Sequence, residues 1–333
     1  MDNHRLLLAA RPTAIPGPEH FRAEAEPARA PDDGEVLVET IYLSIDPAMR
    51  AWITDGAYQT RQVPIGGVME AGGIARVLVS RFPDLQPGDL VQGRLGWQTH
   101  PTLPGRRLQK LDLSLGSAED WLGPLGLTGV TAYFGLREIG ELRPGSTVLV
   151  SAAAGGVGQM AGQIALIEGC RVIGIAGGVE KCAYVAHDLG FDAAIDYRTA
   201  PDLSAAIGAA CPEGVDLYFD NVGGPTLDAA LEHLRQGARV VLCGRISQFA
   251  GGPAYAIRNL DKLAAARARM EGFIVFAYAD RYHEARAWLA AQLRAGRLRQ
   301  RLHVLDGLHQ APIGLGMLFR GANTGKLAIR LAR

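Results

Sequence analysis

The sequence has no excess of charge of either sign, and this argues against several classes of partner. Its 333 residues include 34 Lys and Arg against 34 Asp and Glu, so the formal net charge at pH 7 is zero. A chain with this balance has no global basic surplus to attract nucleic acid or an anionic membrane surface. We therefore expect no nucleic-acid partner.

Long apolar segments and paired cysteines are also missing. No stretch reaches the roughly 20 apolar residues of a membrane-spanning helix, and the first apolar run is too short for the hydrophobic region of a signal peptide. The four cysteines, Cys170, Cys182, Cys211 and Cys243, stand singly, without a C-x-x-C pair. This pattern argues against a disulfide framework and a structural zinc knuckle. We expect a cytoplasmic protein without a membrane partner.

Two patterns of hydrophobicity divide the chain. Residues 34–42 and 72–79 alternate apolar and polar side chains, as half-buried strands do, and short strands at this spacing predict a partly closed antiparallel barrel. After residue 146, continuous apolar runs alternate with helical segments, which predicts a doubly wound parallel sheet of the Rossmann type. Residues 297–333 return to mixed strand and helix. We therefore predict an α/β domain at 123–296 and a discontinuous β-rich domain made of 1–122 and 297–333.

The most informative segment is a glycine-rich turn between a predicted strand and a predicted helix. Residues 152–158 read AAAGGVG, a variant of the dinucleotide fingerprint with Ala152 in the place of the first glycine. Such a turn lets the backbone approach a pyrophosphate, and the helix that follows presents unpaired N–H groups to it. The alternative is a tight turn without a ligand. The repeated strand and helix pattern around it favours cofactor contacts from Gly155, Gly156, Val157 and Gly158.

Residues after the second and third strands favour NADP over NAD. NAD enzymes place an acidic residue at the end of the second strand, whereas this chain has Gly177 and Gly178 there. These glycines leave room for a 2′-phosphate, and Lys181 would neutralise it. Tyr197, after the third strand, has a hydroxyl that could reach the same phosphate. The alternatives are a solvated surface lysine and an ordinary loop tyrosine.

Two further strand ends carry candidate ligand groups. Asn221 follows the strand at 215–220, where its side chain could bond a ribose hydroxyl, although Asn is also a common turn residue. Gly244 follows the next strand and would let the backbone approach a ligand. Cys243 beside it is better explained as a small buried apolar residue than as a nucleophile, since no His lies nearby in the sequence.

Taken together, these residues resemble the zinc-independent medium-chain dehydrogenase/reductase superfamily, within it the prostaglandin reductase, leukotriene B4 dehydrogenase and curcumin reductase-like group. The resemblance covers nearly the whole chain. The segments that carry it are 42–50 (YLSIDPAMR), 96–98 (GWQ), 127–135 (LTGVTAYFG), the turn at 152–158, 218–224 (YFDNVGG), 243–247 (CGRIS) and 321–326 (GANTGK).

This resemblance implies a GroES-like catalytic domain, completed by the C-terminal tail, around an inserted Rossmann domain. It implies NADPH-dependent reduction of the carbon–carbon double bond of α,β-unsaturated ketones and aldehydes, and homodimers. Carried over motif by motif, the NADP(H) contacts beyond the turn would be Lys181, Tyr197, Asn221, Cys243, Gly244, Arg245, Ile246, Ser247, Phe249, Phe273, Ile274, Val275 and Asn323.

The chain departs from its relatives near the expected substrate. Many members have a tyrosine where this chain has Phe249, and plant members have one where it has Ala48. Tyr58 remains a candidate catalytic hydrogen-bond donor, its alternative being a loop tyrosine packed on Trp52. Trp52, Trp97 and Phe249 are candidate substrate contacts, although the two tryptophans could equally be core residues.

Zinc and two rival functions complete the predictions. The first domain has no cysteine, and its histidines lack ligand spacing, so we expect no metal. The first rival is an NADPH:quinone oxidoreductase on the same scaffold. The second is a non-catalytic NADPH-binding sensor, which the missing tyrosines would suit.

Overall fold

The structure, a computed structural model, describes residues 1–55, 62–249 and 254–332. The chain forms two units, Met1–Leu122 with Leu302–Arg333, and Gly123–Arg301. Within the described ranges the strands are, in chain order, β1 (Asp2–Leu8), β2 (Phe21–Pro27), β3 (Glu35–Ser44), β4 (Gly72–Ser80), β5 (Leu90–Arg94), β6 (Thr102–Pro104), β7 (Gln109–Lys110), β8 (Thr147–Ser151), β9 (Arg171–Ala176), β10 (Ala193–Asp196), β11 (Val215–Asp220), β12 (Leu234–Leu242), β13 (Arg269–Gly272), β14 (Leu302–Asp306) and β15 (Lys326–Arg330).

The α-helices of the same ranges are α1 (Met49–Trp52), α2 (Leu127–Phe134), α3 (Gly156–Ile167), α4 (Val179–Ala183), α5 (Leu203–Ala210), α6 (Gly224–Leu231), α7 (Asp261–Ala265), α8 (Tyr282–Arg294) and α9 (Ala311–Arg320). A π-turn prolongs α2 over Gly135–Ile139 and another prolongs α4 over Tyr184–Asp188. Short 3-10 turns occupy Pro18–His20, Gly105–Arg107, Ile246–Phe249, Val275–Arg281 and Leu308–Gln310. None of these helices is both long and apolar enough to cross a bilayer.

Strand β3 organises the first unit. Its run of Val, Leu and Ile is buried, and β3 pairs with β4, β6 and β15. The strand order of this sheet is β14-β15-β3-β4-β5-β7, with β6 beside β3, while β1 and β2 form an antiparallel pair of their own. Large fully buried side chains such as Leu43, Met69 and Trp97 fill the core beneath.

A buried ion pair connects the two chain segments of this unit. Nζ of Lys326 donates to Oδ1 of Asp46 at 2.6 Å and to the carbonyl oxygen of Ile45 at 2.9 Å, and the hydroxyl of Ser44 bonds the same carboxylate. Lys326 is buried, so its charge requires such a partner. The C-terminal segment is therefore anchored beside β3, 280 residues away in the sequence.

The second unit is a parallel sheet with the order β10-β9-β8-β11-β12-β13. β8 is buried at every residue, as expected for the centre of a parallel sheet that helices cover. From β8 the chain builds outward to β9 and β10, and then returns to the other side of β8 for β11 to β13. The strand order reverses between β8 and β11, so the ligand crevice of such a fold lies outside their carboxyl ends. The predicted α/β fold with a doubly wound sheet is confirmed.

The second unit ends later than the sequence predicts, at residue 301 rather than 296. Two buried glutamines of α3 cause the difference. Gln163 bonds both the N–H and the carbonyl of Arg299, at 2.9 Å each, and Oε1 of Gln159 accepts from the N–H of Arg301 at 3.0 Å. These side-chain amides hold the segment against α3 in the way that a neighbouring strand would.

Candidate cofactor site

The turn between β8 and α3 is shaped by close backbone contacts. Ala152 has φ 48°, in the left-handed region that costs a non-glycine residue roughly 1–2 kcal/mol. Its carbonyl oxygen accepts the N–H of Gly155 at 2.8 Å. A Cβ built on Gly158 would lie 2.2 Å from that oxygen and 2.9 Å from Cα of Ala153. Only glycine at 158 therefore lets α3 begin so close to the strand.

The start of α3 suits an anion. The helix is 12 residues long, and Gly155 at its N-cap has no side chain with which to cap the first N–H groups. The N–H groups of Gly156, Val157 and Gly158 are among the first four of a helix, which have no acceptor within it. Together with the helix dipole, such groups bind phosphate well. The four predicted turn residues are thus brought together as a phosphate-binding geometry.

A second corner forms where β9 and β10 end. Asp196 accepts the N–H of Gly178 at 2.8 Å and that of Arg198 at 3.0 Å, and these two bonds lower the pKa of Asp196. They hold Tyr197 against Gly177, where an added Cβ would lie 2.7 to 2.8 Å from the tyrosine ring and hydroxyl. Glycine at 177 is therefore needed to admit the tyrosine.

Two cations meet at this corner. Burial lowers the pKa of Lys181, and the positive charge of Arg198 lowers it further. The guanidinium carbon of Arg198 lies 6.0 Å from the ring centroid of Tyr197. Two positively charged side chains at one corner suit an anionic ligand such as a phosphate. The sequence singled out Lys181 and Tyr197 but passed over Arg198, whose signal was its place directly after Tyr197 in the same turn.

The ends of β11 and β12 form a third group of predicted residues. The N–H of Asn221 donates to Oγ of Ser151 at 2.9 Å, and its Nδ2 donates to the Ser151 carbonyl at 2.8 Å. The backbone of Gly244 packs on Asn221, since an added Cβ would lie 3.0 Å from the Asn221 carbonyl oxygen. The hydroxyl of Ser247 donates to the carbonyl of Val222 at 2.7 Å. The two predicted segments are therefore in contact.

The other predicted residues that follow β12 are Cys243, Arg245, Ile246 and Phe249. Burial, and then the neighbouring Asp220, raise the pKa of the Cys243 thiol to about 12, so this thiol stays protonated at neutral pH. That chemistry agrees with Cys243 as a packing residue. Arg245 lies over the ring of Phe249, 5.4 Å from its centroid, and Ile246 begins the 3-10 turn that Phe249 ends.

The other predicted cofactor residues lie in separate places. Phe273 packs at the end of α2, where its Cζ would be 2.8 Å from a Cβ on Gly135. Ile274 is exposed and Val275 is buried. Asn323 belongs to the first unit, between α9 and β15, where its Nδ2 donates to the Gly325 carbonyl at 2.9 Å.

The candidate substrate residues have different outcomes. Tyr58 lies outside the described residues. Trp97 is completely buried in the core of the first unit, with its ring centroid 4.8 Å from that of Phe21. Trp97 is therefore a core residue, and the prediction that it contacts the substrate is corrected. Trp52 ends α1 half-buried, with the Arg94 guanidinium 5.4 Å from its ring centroid.

The part of the chain that the structure describes contains no set of metal-binding side chains. No group of three or more His, Cys, Asp or Glu side chains there could hold an ion.

Sequence comparisons identify the family. A family model described as the N-terminal domain of oxidoreductase matches residues 4–111, and one described as zinc-binding dehydrogenase matches residues 156–291. The NADPH-dependent curcumin reductase of Escherichia coli is 40% identical, over 99% of this chain and 97% of its own. The chain belongs to the medium-chain dehydrogenase/reductase superfamily. Within this superfamily it lies in the curcumin, alkenal and prostaglandin reductase group.

Two more relatives of the group agree in sequence and structure. An NADP(+)-dependent 2-alkenal reductase of Nicotiana tabacum is 39% identical, over 90% of this chain and 88% of its own. The crystal structure of CurA from Vibrio vulnificus in complex with NADPH matches with a TM-score of 0.93 and 37% identity, over 99% of both chains. This medium-chain dehydrogenase/reductase is an NADP-dependent oxidoreductase.

The residues present fit NADP(H). The glycine turn leaves space and N–H groups for a pyrophosphate. Lys181 and Arg198 follow β9 and β10. The residues chosen from the sequence thus follow the carboxyl ends of strands of this sheet, with residues 273–275 after β13, whereas Asn323 belongs to the first unit.

Proposed function

We propose that this protein reduces the carbon–carbon double bond of α,β-unsaturated ketones and aldehydes with NADPH and without zinc. The observation that carries the proposal is the pairing of a phosphate-binding glycine turn with the Lys181 and Arg198 corner. The proposal is supported by relatives whose names specify curcumin and 2-alkenals as substrates. The absence of cysteine from residues 1–122 supports zinc-independent chemistry.

The protein's contribution to this chemistry is binding and orientation. Bound NADPH supplies a hydride, which the electrophilic β-carbon of the substrate receives. In our proposal, the N–H groups of Gly156 to Gly158 hold the pyrophosphate, and Lys181, Tyr197 and Arg198 hold the 2′-phosphate. Asn221 and the backbone of Gly244 border the space beyond the ends of β11 and β12. Fixed contacts of this kind raise the rate by keeping the reacting atoms in place.

The substrate requires a donor as well. When hydride arrives, negative charge develops on the substrate's carbonyl oxygen, and a proton must then reach the α-carbon. A hydrogen-bond donor aimed at that oxygen lowers the barrier, and a positioned proton donor contributes about 10²- to 10⁴-fold. We propose Tyr58 for this role and Trp52 and Phe249 as apolar contacts of the substrate. With Phe249 and Ala48 in place of phenols, the rate depends on Tyr58, water or the cofactor's own hydroxyls.

The oligomeric state and the cellular location are proposed from the resemblance to the reductase group. We propose a homodimer that works in the cytoplasm on a free small molecule, with no nucleic-acid or membrane partner. Analytical ultracentrifugation of the purified protein tests the dimer directly, and a single species of monomer mass would contradict it.

The test of the reaction uses purified protein, NADPH and 3-nonen-2-one. We expect loss of absorbance at 340 nm and formation of the saturated ketone, identified by gas chromatography and mass spectrometry. A benzoquinone in the same assay distinguishes the quinone reductase, which would consume NADPH with the quinone and not with the enone. NADPH binding without turnover on either substrate would favour the sensor and overturn the proposal.

A further inference from the structure

The carboxyl group of Asp220 is completely buried at the end of β11 and accepts hydrogen bonds from four donor groups. Its Oδ1 accepts from the hydroxyl of Tyr218 at 2.7 Å and from that of Ser151 at 3.0 Å. The N–H groups of Val222 and Gly223 donate to the same oxygen at 3.0 Å, and that of Gly223 also reaches Oδ2 at 3.1 Å. These donors are two hydroxyls and two backbone amides.

The same residue connects three strand ends. The carbonyl of Asp220 accepts the N–H groups of Cys243 and Gly244, at 2.9 and 3.0 Å, which ties the end of β12 to β11. Ser151, the last residue of β8, donates its hydroxyl to Asp220 and accepts the N–H of Asn221 on that hydroxyl. Removing the carboxylate would therefore release the contacts of Ser151 at the end of β8 and of the turn that leads into α6, while the bonds from the segment after β12 to the Asp220 carbonyl would remain.

These contacts lie at the point where the strand order reverses. Ser151 and Asp220 are the last residues of β8 and β11, the two strands whose carboxyl ends flank the ligand crevice of a doubly wound sheet. Asn221 and Gly244, whose backbones Asp220 holds, are the groups that border this crevice. Burial raises the pKa of Asp220 against the effect of its hydrogen bonds. Burying a carboxyl group costs free energy, which suggests that Asp220 has a role beyond packing.

We infer that Asp220 is a positioning residue for NADP(H): its buried side chain fixes the turn at Val222 and Gly223, and through the Ser151 hydroxyl it fixes Asn221, in the arrangement that receives the cofactor. The inference rests on the cofactor part of the proposed function and is independent of the reducible substrate. An amide in place of the carboxylate would point an NH₂ donor at the N–H of Gly223. Two facing donors repel, so the turn would open and the bordering groups would move.

The experiment compares Asp220→Asn with a matched control, Asp228→Asn. Asp228 is also a buried aspartate, on α6, and it accepts a tyrosine hydroxyl (Tyr255) and two backbone N–H groups (Arg258 and Asn259), each at 2.9 Å. The Kd of NADPH is measured by fluorescence titration without any substrate, at a temperature where every variant is folded. Tm is measured with and without NADPH.

We expect both substitutions to lower Tm and only Asp220→Asn to raise the Kd of NADPH, by about tenfold, with a smaller NADPH-induced rise in Tm. Ser151→Ala should raise the Kd about threefold. Together with Asp220→Asn it should add less than the two effects combined, because both changes break the same contact. If Asp220→Asn does not fold, Ser151→Ala and Tyr218→Phe decide the question through the Kd.

Equal Kd values for wild type and Asp220→Asn, or for wild type and both hydroxyl variants, would overturn the inference and leave Asp220 a purely structural residue. A wild-type protein that binds NADPH but reduces no enone would contradict the proposed function alone. The two failures are therefore distinguishable.

Discussion

Glycines serve different purposes at the two edges of the parallel sheet in the second unit. At the amino edge, Gly145 and Gly169 precede β8 and β9 with φ values of 81° and 80°. An added Cβ would meet none of the described atoms within 4 Å at Gly145, and only Pro144 at 3.9 Å at Gly169. At the carboxyl edge, Gly158 has a backbone oxygen 2.2 Å from the place of its missing Cβ. Gly145 and Gly169 thus allow a backbone conformation, whereas Gly158 provides space.

The aspartates at the two edges also have different partners. At the amino edge, Asp216 accepts the N–H of Thr147 at 2.8 Å and pairs with Arg235 at 3.2 Å, which completes the start of β8 within the protein. At the carboxyl edge, Asp196 accepts the N–H groups of Gly178 and Arg198 at the corner that also holds Lys181. The aspartate of one edge completes the start of a strand, while the aspartate of the other shapes the corner proposed for a phosphate.

The largest expected effect comes from filling the space at Gly158. In Gly158→Val the side chain would collide with the carbonyl of Ala152, so α3 would move away from the turn and the phosphate-binding N–H groups would be displaced. We expect NADPH affinity to fall by at least about 100-fold in a fluorescence titration.

The matched control at the amino edge is Gly145→Ala. It should lower the free energy of unfolding by about 1 kcal/mol, because alanine is strained at positive φ, and leave NADPH affinity as it is. A Gly158→Val protein with wild-type affinity would remove the distinction between the edges.

The next effect concerns the cations. Lys181→Ala and Arg198→Ala should each weaken NADPH binding by about 1.5–3 kcal/mol, the range for hydrogen bonds to charged groups, and change NADH binding little. The measurement is the Kd of both cofactors by isothermal titration calorimetry. Arg235→Ala, a cation at the amino edge, is the control and should leave both values unchanged. Equal losses for NADPH and NADH would show that the corner does not meet the 2′-phosphate.

A smaller effect is expected at the amino edge itself. Asp216→Ala removes the acceptor of the Thr147 N–H and the partner of Arg235. The free energy of unfolding in urea should fall by about 1 kcal/mol, with the Kd of NADPH unchanged. A loss of NADPH affinity here would contradict the separation of stability and binding between the two edges.

The smallest effect is a pH dependence. The pKa of Lys181 is lowered below its ordinary value, so on raising the pH this amine loses its charge earlier than a solvent-exposed lysine. As the pH rises through that pKa, Lys181 becomes neutral. The free protein then no longer has the cost of a buried charge, and the attraction between the Lys181 ammonium group and a 2′-phosphate is lost. The ratio of NADPH to NADH affinity should therefore fall in the pH interval below the ordinary lysine pKa of 10.5.

In Lys181→Ala this ratio should stay level over the same interval. A wild-type ratio that does not change would mean that Lys181 titrates without influence on the cofactor.

Features fixed by neighbours in the sequence were predictable. The parallel strands of the second unit and the glycine turn follow from local apolar runs and from glycine spacing.

Features fixed across the fold were not predictable. Arg198 and Asp220 gain their roles from residues on other strands, and one sequence does not show which strand ends meet. Trp97 has the same apolar character in a core as in a substrate slot, and only the structure shows it fully buried. The boundary at 301 depends on glutamine side chains of a distant helix.

The ion pair between Lys326 and Asp46 has a consequence for biosynthesis. The sheet of the first unit needs β15 beside β3, and β15 is made after residues 123–301. Those residues can fold as a unit before β15 is available. The segment before residue 123, although made earlier, must wait with an open sheet edge until β15 has been made, and chaperones that shield exposed strands would act during this interval.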